Sequence, residues 1–242
     1  MISVYVGYDP RESGTYHAFC QSVIERSSVP VQFIPLHTKM LNGFNGQQDG
    51  TNAFIYSRYL IPYLQSYNGW AIFVDGDMTC LGDIADLWAQ REKEQFNTAV
   101  MVVKHDYKTK FKRKFIGTPL ENSNVDYPRK NWSSVMLWHC GHYSNRILTP
   151  EYVSEAGGKA LHRFEWLRDE QIGSLSADWN VLVGEQAIPE TAKLLHFTLG
   201  AAGFFNYADC DGSQYWHKSM LNAVNMSGEN PVDMIRRACE RT

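Results

Sequence analysis

The run Trp70-Ala71-Ile72-Phe73-Val74 holds no polar side chain. A strand exposed on one face alternates polar and apolar residues, so an unbroken apolar run reads as a central strand buried on both faces. A sheet covered on both faces needs helices on each side, which points to the α/β class. The start of the chain agrees. Ile2 to Gly7 reads as a strand, and Tyr16, Phe19, Cys20, Val23 and Ile24 recur at helical spacing. Val29 to Leu36 reads as a second strand, bounded by Pro30 and Pro35. Strand–helix–strand is the unit of a parallel sheet.

Further strands are expected at Ala99 to Val103, Val135 to Trp138 and Leu194 to Thr198. Between them, a helix is expected from about Ala53, with Pro62 kinking or ending it. The stretch from Tyr152 to Leu175 reads as mainly helical despite Gly157-Gly158, and Pro231 suits the first position of a C-terminal helix. Leu41 to Asn52 is rich in Gly, Asn and Gln and reads as a loop. With no repeat and no dividing linker, the expectation is one domain over residues 1–242, with 206–242 as an extension for packing or for the acceptor side.

Bulk properties exclude some functions. The net charge of −3 argues against a general affinity for nucleic acid. No segment approaches the roughly 18 apolar residues of a membrane span, and the N-terminus lacks a signal-peptide pattern, so a cytoplasmic location is expected. The five cysteines form no C-x-x-C pair and read as reduced thiols.

The apolar run ends in Asp75-Gly76-Asp77. Side chains two apart on an extended chain point the same way, so both carboxylates can converge on one cation. Gly76 allows close backbone approach to a ligand. Ligands of open α/β sheets gather at the carboxyl ends of strands, where this pair sits. Hard oxygen donors suit Mn²⁺ or Mg²⁺ shared with substrate phosphates. Two aspartates in a plain turn remain the bland reading of the same residues. Asp75 to Thr79 also resembles the D-x-D-x-T nucleophile loop of haloacid-dehalogenase-type phosphatases, with Asp75 phosphorylated and Asp77 as acid/base. That family adds a second acidic pair after a late strand, and the only late cluster is Asp169-Glu170.

A longer series of segments resembles the small bacterial and viral members of the family 8 type glycosyltransferases. Val6 to Glu12, with Gly7, Tyr8 and Asp9, is similar to the family's first strand and loop; Tyr56-Ser57-Arg58-Tyr59 is similar to its Tyr-x-Arg helix; Asp75 and Asp77 match its D-x-D. Asn131 to Leu137, with Ser133 and Ser134, resembles the segment beside the donor sugar. Asp169-Glu170-Gln171 resembles the Asp-Gln start facing the anomeric carbon, Asp178-Trp179-Asn180 the Trp-Asn that follows, and His196-Phe197 the His-aromatic pair. The resemblance implies a GT-A fold: a single Rossmann-like domain whose mixed, mostly parallel sheet is flanked by helices. It implies a retaining hexosyltransferase using a UDP-sugar donor and a saccharide, lipid or protein acceptor. It implies Mn²⁺, with Mg²⁺ as the alternative, on Asp75, Asp77 and His196. It also implies catalytic roles for Glu170, Gln171 or Asp169, and a donor site of Gly7, Tyr8, Asp9, Arg58, Asp75, Gly76, Ser133 and Ser134.

The chain departs from that pattern after His196, where a diphosphate-gripping lysine is expected and Leu199 to Phe204 supplies none. Lys104, Arg129 and Lys130 are candidates to replace it. The basic run from Lys104 to Lys114 reads either as a solvated face or as a flap over a diphosphate. A non-catalytic module binding a sugar nucleotide or glycan is the further alternative.

Overall fold

In the computed structural model the described residues are 1–41, 44, 52–93 and 97–224. The expected C-terminal helix at Pro231, Cys239 and most of the 41–52 loop lie outside them. The strands are β1 Ile2–Gly7, β2 Val31–Leu36, β3 Trp70–Val74, β4 Met78–Cys80, β5 Val100–Val102, β6 Arg113–Lys114, β7 Asn122–Ser123, β8 Val135–His139, β9 Ile172–Ser174, β10 Val181–Leu182 and β11 Leu194–His196. The α-helices are α1 Ser13–Ile24, α2 Ile61–Leu64, α3 Ile84–Ala89, α4 Pro150–Glu155, α5 Gly157–His162 and α6 Ser213–Val224.

The main sheet runs β2-β1-β3-β8-β5-β9. β1 pairs in parallel with β2 and β3, and β5 with β9; β8 alone runs antiparallel to its neighbours β3 and β5. Pro35 is tolerated because β2 is an edge strand. β3 is buried on both faces as its apolar run requires. Ala71 and Phe73 join one cluster with Tyr59 and Trp138, while Ile72 and Val74 join another with Phe19 and Leu137. A second, small sheet, β10-β11-β4, packs beside it, with β11 antiparallel to β4.

Several expectations are corrected. The buried face of α1 is Thr15, Ala18, Phe19, Ser22 and Val23, and Ile24 is exposed at the helix end. Pro62 sits in the first turn of the four-residue α2, where its missing N–H costs nothing, rather than ending a longer helix. The stretch 152–175 is α-helical only to His162, with a single 3-10 turn at Asp169–Gln171. Gly157 and Phe164 take left-handed backbone that breaks α4 from α5 and ends α5, and the chain then enters β9. β4 was not foreseen, because three residues after a turn carry no period.

α6 closes over α1. Its Trp216 is buried, and Ser219 Oγ and Asn222 Nδ2 donate to Glu25 at 3.2 and 2.6 Å.

Candidate functional site

The two carboxylates leave the sheet at the carboxyl end of β3. Asp75 N–H donates to Ser134 O at 2.9 Å, which ties the turn to the start of β8. A Cβ on Gly76 would overlap the carbonyl oxygen of Gly7 at the end of β1, so only glycine lets the two strand ends approach this closely. That oxygen belongs to backbone paired with Leu36 of β2 and adjoining Val6, which pairs with Val74 of β3, so it has little freedom to swing aside. Gly76→Ala is therefore expected to lower stability by about 2 kcal/mol or more, read as a lower urea midpoint with unchanged m-value.

His196 is carried in from the second sheet. It pairs with Met78 across β11 and β4, and Phe197 N–H donates to Asp77 O at 2.9 Å. Its Nε2 stands 3.4 Å from Asp77 Oδ1 and 3.9 Å from Asp75 Oδ2. One ligand atom from each of the three residues lies within 4.8 Å of the others. Asn180 fixes the ring. Its Nδ2 donates to Asn131 O and Ser134 Oγ, at 3.2 and 2.8 Å, which leaves Oδ1 to accept from His196 Nδ1 at 3.0 Å. A proton on Nδ1 turns the Nε2 lone pair of a neutral ring toward the carboxylates, the arrangement of a metal-binding histidine with its outer-shell partner.

The electrostatics point the same way. Among the described residues, Asp77 Oδ1 and Glu12 Oε2 are buried with no hydrogen-bond partner. Burial lifts the Asp75 carboxyl to about 6; Arg58 opposes this, Asp77 adds to it and His196 opposes it. Burial also pushes Asp77 up, but His196, joined by Lys114 and a backbone hydrogen bond, brings Asp77 below the usual range. Glu12 is raised well above its ordinary value, by burial first and then by Asp77, Asp9 and Asp75. So much buried negative charge is costly unless it is paired or coordinates a metal. A divalent cation fits this donor set.

Arg58, 3% exposed, anchors the first carboxylate. Its Nη1 lies 2.7 Å from Asp75 Oδ1 and donates to Ser133 O at 2.8 Å, while Nε donates to Ile55 O at 3.1 Å. The guanidinium also lies over the rings of Phe73 and Phe54.

A small polar chamber holds Glu12, Asp75, Asp77 and His196. It adjoins a larger cavity of about 350 Å³, and Asp75, Lys114, Asn131 and Thr198 line both. The larger space is also walled by Arg58, Tyr127, Lys130, Ser133, Ser134 and His162. Ser133 Oγ and Tyr59 O–H each lie 2.8 Å from His162 Nδ1. Burial, followed by the charges of Arg58 and Lys114, pushes His162 down to about 3. An unfolded histidine titrates near 6.5, so His162's contribution to stability is complete above about pH 6.5 and is lost as pH falls toward 3. His162→Gln is expected to flatten the loss of urea midpoint between pH 6.5 and 4 relative to the parent protein.

No protein-family model matches the chain. It is 39% identical over 233 residues to Protein CDI of Arabidopsis thaliana, covering 90% of this chain and 85% of that protein. The chain belongs to the Protein CDI family. Solved structures show its fold. The bifunctional glycosyltransferase WbbM superposes with a TM-score of 0.62 at 12% identity over 96% of this chain. The galactosyltransferase LgtC gives 0.54 at 10% over 94% of this chain and 98% of its own length, and GlyE of Streptococcus pneumoniae gives 0.59 at 12% over 91%. The chain spans about half the length of WbbM and 60% of GlyE. This CDI-family protein therefore has the GT-A fold, with its mixed, mostly parallel sheet flanked by helices.

The fold of the CDI-family chain brings some of the foreseen residues together and separates others. Asp75, Gly76, Asp77, Arg58, Ser133, Ser134 and His196 gather at one end of the sheet. Gly7 lies under Gly76, with the Phe54 ring where a Gly7 side chain would go. Tyr8 meets Tyr16 edge-on at 5.5 Å. Asp9 is already occupied, accepting from Arg11 N, Nε and Nη2 and from Ala53 N at 2.6–3.0 Å.

Asp169, Glu170 and Gln171 are the correction. β9 runs parallel to β5, so the residues just before it lie at the amino end of that pair, level with Ala99 and His139. The Asp75 end is opposite, where Val74 pairs with Val135. Asp169 is exposed and paired with Arg129; Glu170 is exposed beside Arg168. Gln171 Nε2 donates to Ser144 Oγ and Tyr143 O–H. The late acidic pair that the phosphatase resemblance asks for is thus away from Asp75 as well.

Of the candidate cations, Lys104 and Arg129 face the Trp132 ring, and only Lys130 reaches the larger cavity. Lys114, which lines both spaces, was not singled out, because it is the last of six cations in one run and nothing local distinguishes it. Glu12 and His162 were missed as well, and Asn180 was matched to the Trp-Asn segment without its contact to His196. Their roles depend on long-range contacts that spacing does not encode.

Proposed function

We propose that the chain is a metal-dependent glycosyltransferase that moves a hexose from a UDP-sugar to a saccharide, lipid or protein acceptor with retention. One observation carries the reading: two carboxylates and a correctly oriented imidazole converge at the carboxyl end of β3 on a GT-A fold. Asp75, Asp77 and His196 would hold Mn²⁺, or Mg²⁺ in its place. The cation, when bound, would neutralise charge developing on a diphosphate leaving group.

The chain's own residues divide the remaining work. Lys114, shared by both spaces, faces the place where a diphosphate beside the carboxylates would lie and takes the part of the missing lysine. Arg58 holds Asp75 in position, and Asn180 holds His196. Ser133, Ser134 and Asn131 offer hydroxyl and amide groups to a sugar in the larger cavity. Among the described residues lining that cavity the only carboxylate is Asp75, and Arg58 engages it. With Asp169 to Gln171 at the other end of the sheet, no carboxylate other than Asp75 faces the sugar space among the described residues. This favours attack by the acceptor on the face the diphosphate leaves, with the departing phosphate oxygen accepting the acceptor's proton.

The test is thermal denaturation with UDP, GDP or ADP, with and without Mn²⁺, followed by UDP release from a panel of UDP-sugars. UDP together with Mn²⁺ is expected to raise the melting temperature, as any ligand of the native state must. Absence of a shift with every nucleotide overturns the reading.

A further inference from the structure

The surface at the rim of the larger cavity has an unusual composition. Residues 104–130 carry eight Lys or Arg against three Asp or Glu, in a chain whose net charge is −3. Lys104, Lys108, Lys110, Lys112 and Arg113 are exposed, and among the described residues Lys108, Lys110 and Lys112 form no ion pair. Large apolar side chains stand out between them: Phe111, Ile116, Val125 and Tyr127 are all exposed, and Phe205 is 95% exposed.

These groups form one surface. β6 and β7 pair Arg113 with Ser123, and Asn124 N–H donates to Lys112 O at 2.8 Å, which sets Phe111 and Val125 on neighbouring chains. Beyond the hairpin, Ile116 N–H donates to Tyr207 O–H oxygen at 2.6 Å and Ile116 O accepts from Asn206 Nδ2 at 3.1 Å, which places Phe205 beside Ile116. Lys114, Val125 and Tyr127 belong to the cavity wall, so the surface is the lip of the site.

We propose that this lip docks on an anionic membrane, with the lysines at the headgroups and Ile116, Phe111 and Phe205 in the interfacial layer. Protruding aliphatic and aromatic tips flanked by lysines match the requirements of an interface-seeking surface. A protein partner fits less well, because the cores of protein interfaces are depleted of lysine. Docking in this orientation opens the cavity toward the bilayer and presents it with an acceptor carried there. The inference stands on surface composition and does not depend on the donor.

The experiment is co-sedimentation of the full chain with phosphatidylcholine vesicles, with or without phosphatidylserine. Binding is expected only to the phosphatidylserine vesicles and is expected to weaken as salt is raised. Replacing Lys108, Lys110 and Lys112 together by Gln is expected to weaken binding about 100-fold, at roughly fivefold per cation near an anionic surface. Ile116→Ser with Phe205→Ser is expected to weaken it with the basic run intact. All five positions are exposed, so an unchanged melting temperature establishes that these variants fold. No binding to anionic vesicles by the parent protein overturns the proposal, as does full binding by the lysine variant. Capture of an RNA oligonucleotide, or self-association lost in the Ile116/Phe205 variant, without vesicle binding also overturns it. Nucleotide binding with Mn²⁺ is expected to persist in both variants, which separates failure here from failure of the transferase reading.

Discussion

Asp77→Asn is expected to abolish the Mn²⁺-dependent rise in melting temperature with UDP while leaving the unliganded protein folded and at most modestly less stable than its parent. The substitution keeps shape and removes one charge from a buried group that includes Asp9, Glu12 and Asp75. Lost repulsion with Glu12 and Asp75 is offset by the lost attraction of His196, which holds the Asp77 carboxyl below its usual range. Cation binding suffers more, since an amide oxygen replaces an anionic donor directly facing His196 Nε2. A loss of at least about 100-fold in cation affinity is expected, beyond the 10–100-fold typical of changes to outer partners. Asn180→Leu supplies that milder comparison, because it frees the His196 ring without removing a ligand. Calorimetric Mn²⁺ titration and thermal shift with UDP read both effects. An Asp77→Asn protein that keeps the full shift removes Asp77 from the cation site.

The parts of this site that could be read in advance depend on local sequence. The apolar run 70–74 specified a doubly buried strand, and a carboxylate pair at its end had one sensible location in a parallel sheet. Resemblance supplied His196 and Arg58, and the fold brings both to that end. Asp169 to Gln171 show the limit. Whether a short segment lies at the amino or carboxyl end of a sheet depends on the direction and partner of the next strand. β9, only three residues long in a stretch that reads as helix, gave no warning. Lys114 shows the same limit, since its position depends on how β6 and β7 fold over the cavity. Asp9 shows another. A carboxylate foreseen as a ligand contact is consumed by Arg11, two residues away, and the loop is pinned instead.

The second large effect is expected at Arg58, where stability and chemistry depend on one side chain. Arg58→Met preserves much of the buried stem between Phe54 and Phe73 but removes every polar contact of the guanidinium. Ser133 O, Ile55 O and Asp75 Oδ1 each lose a partner, and Asp75 becomes a buried carboxylate without its nearest cation. Removing one member of a buried ion pair costs about 3–5 kcal/mol, which for a chain of this length corresponds to a fall in melting temperature on the order of 10 °C. Arg58→Lys is not expected to restore it, because Nε and Nη1 serve different acceptors and a single ammonium cannot reach all of them. The pH dependence separates this role from plain packing. Arg58 is the largest influence opposing the burial that lifts Asp75 to about 6. In Arg58→Met the proton therefore competes with the cation to higher pH, and the midpoint of Mn²⁺ binding against pH is expected to move upward. A variant destabilised in urea but with an unmoved midpoint would make Arg58 a packing residue alone. One as stable as the parent protein would remove the Arg58–Asp75 pair from the account of this site.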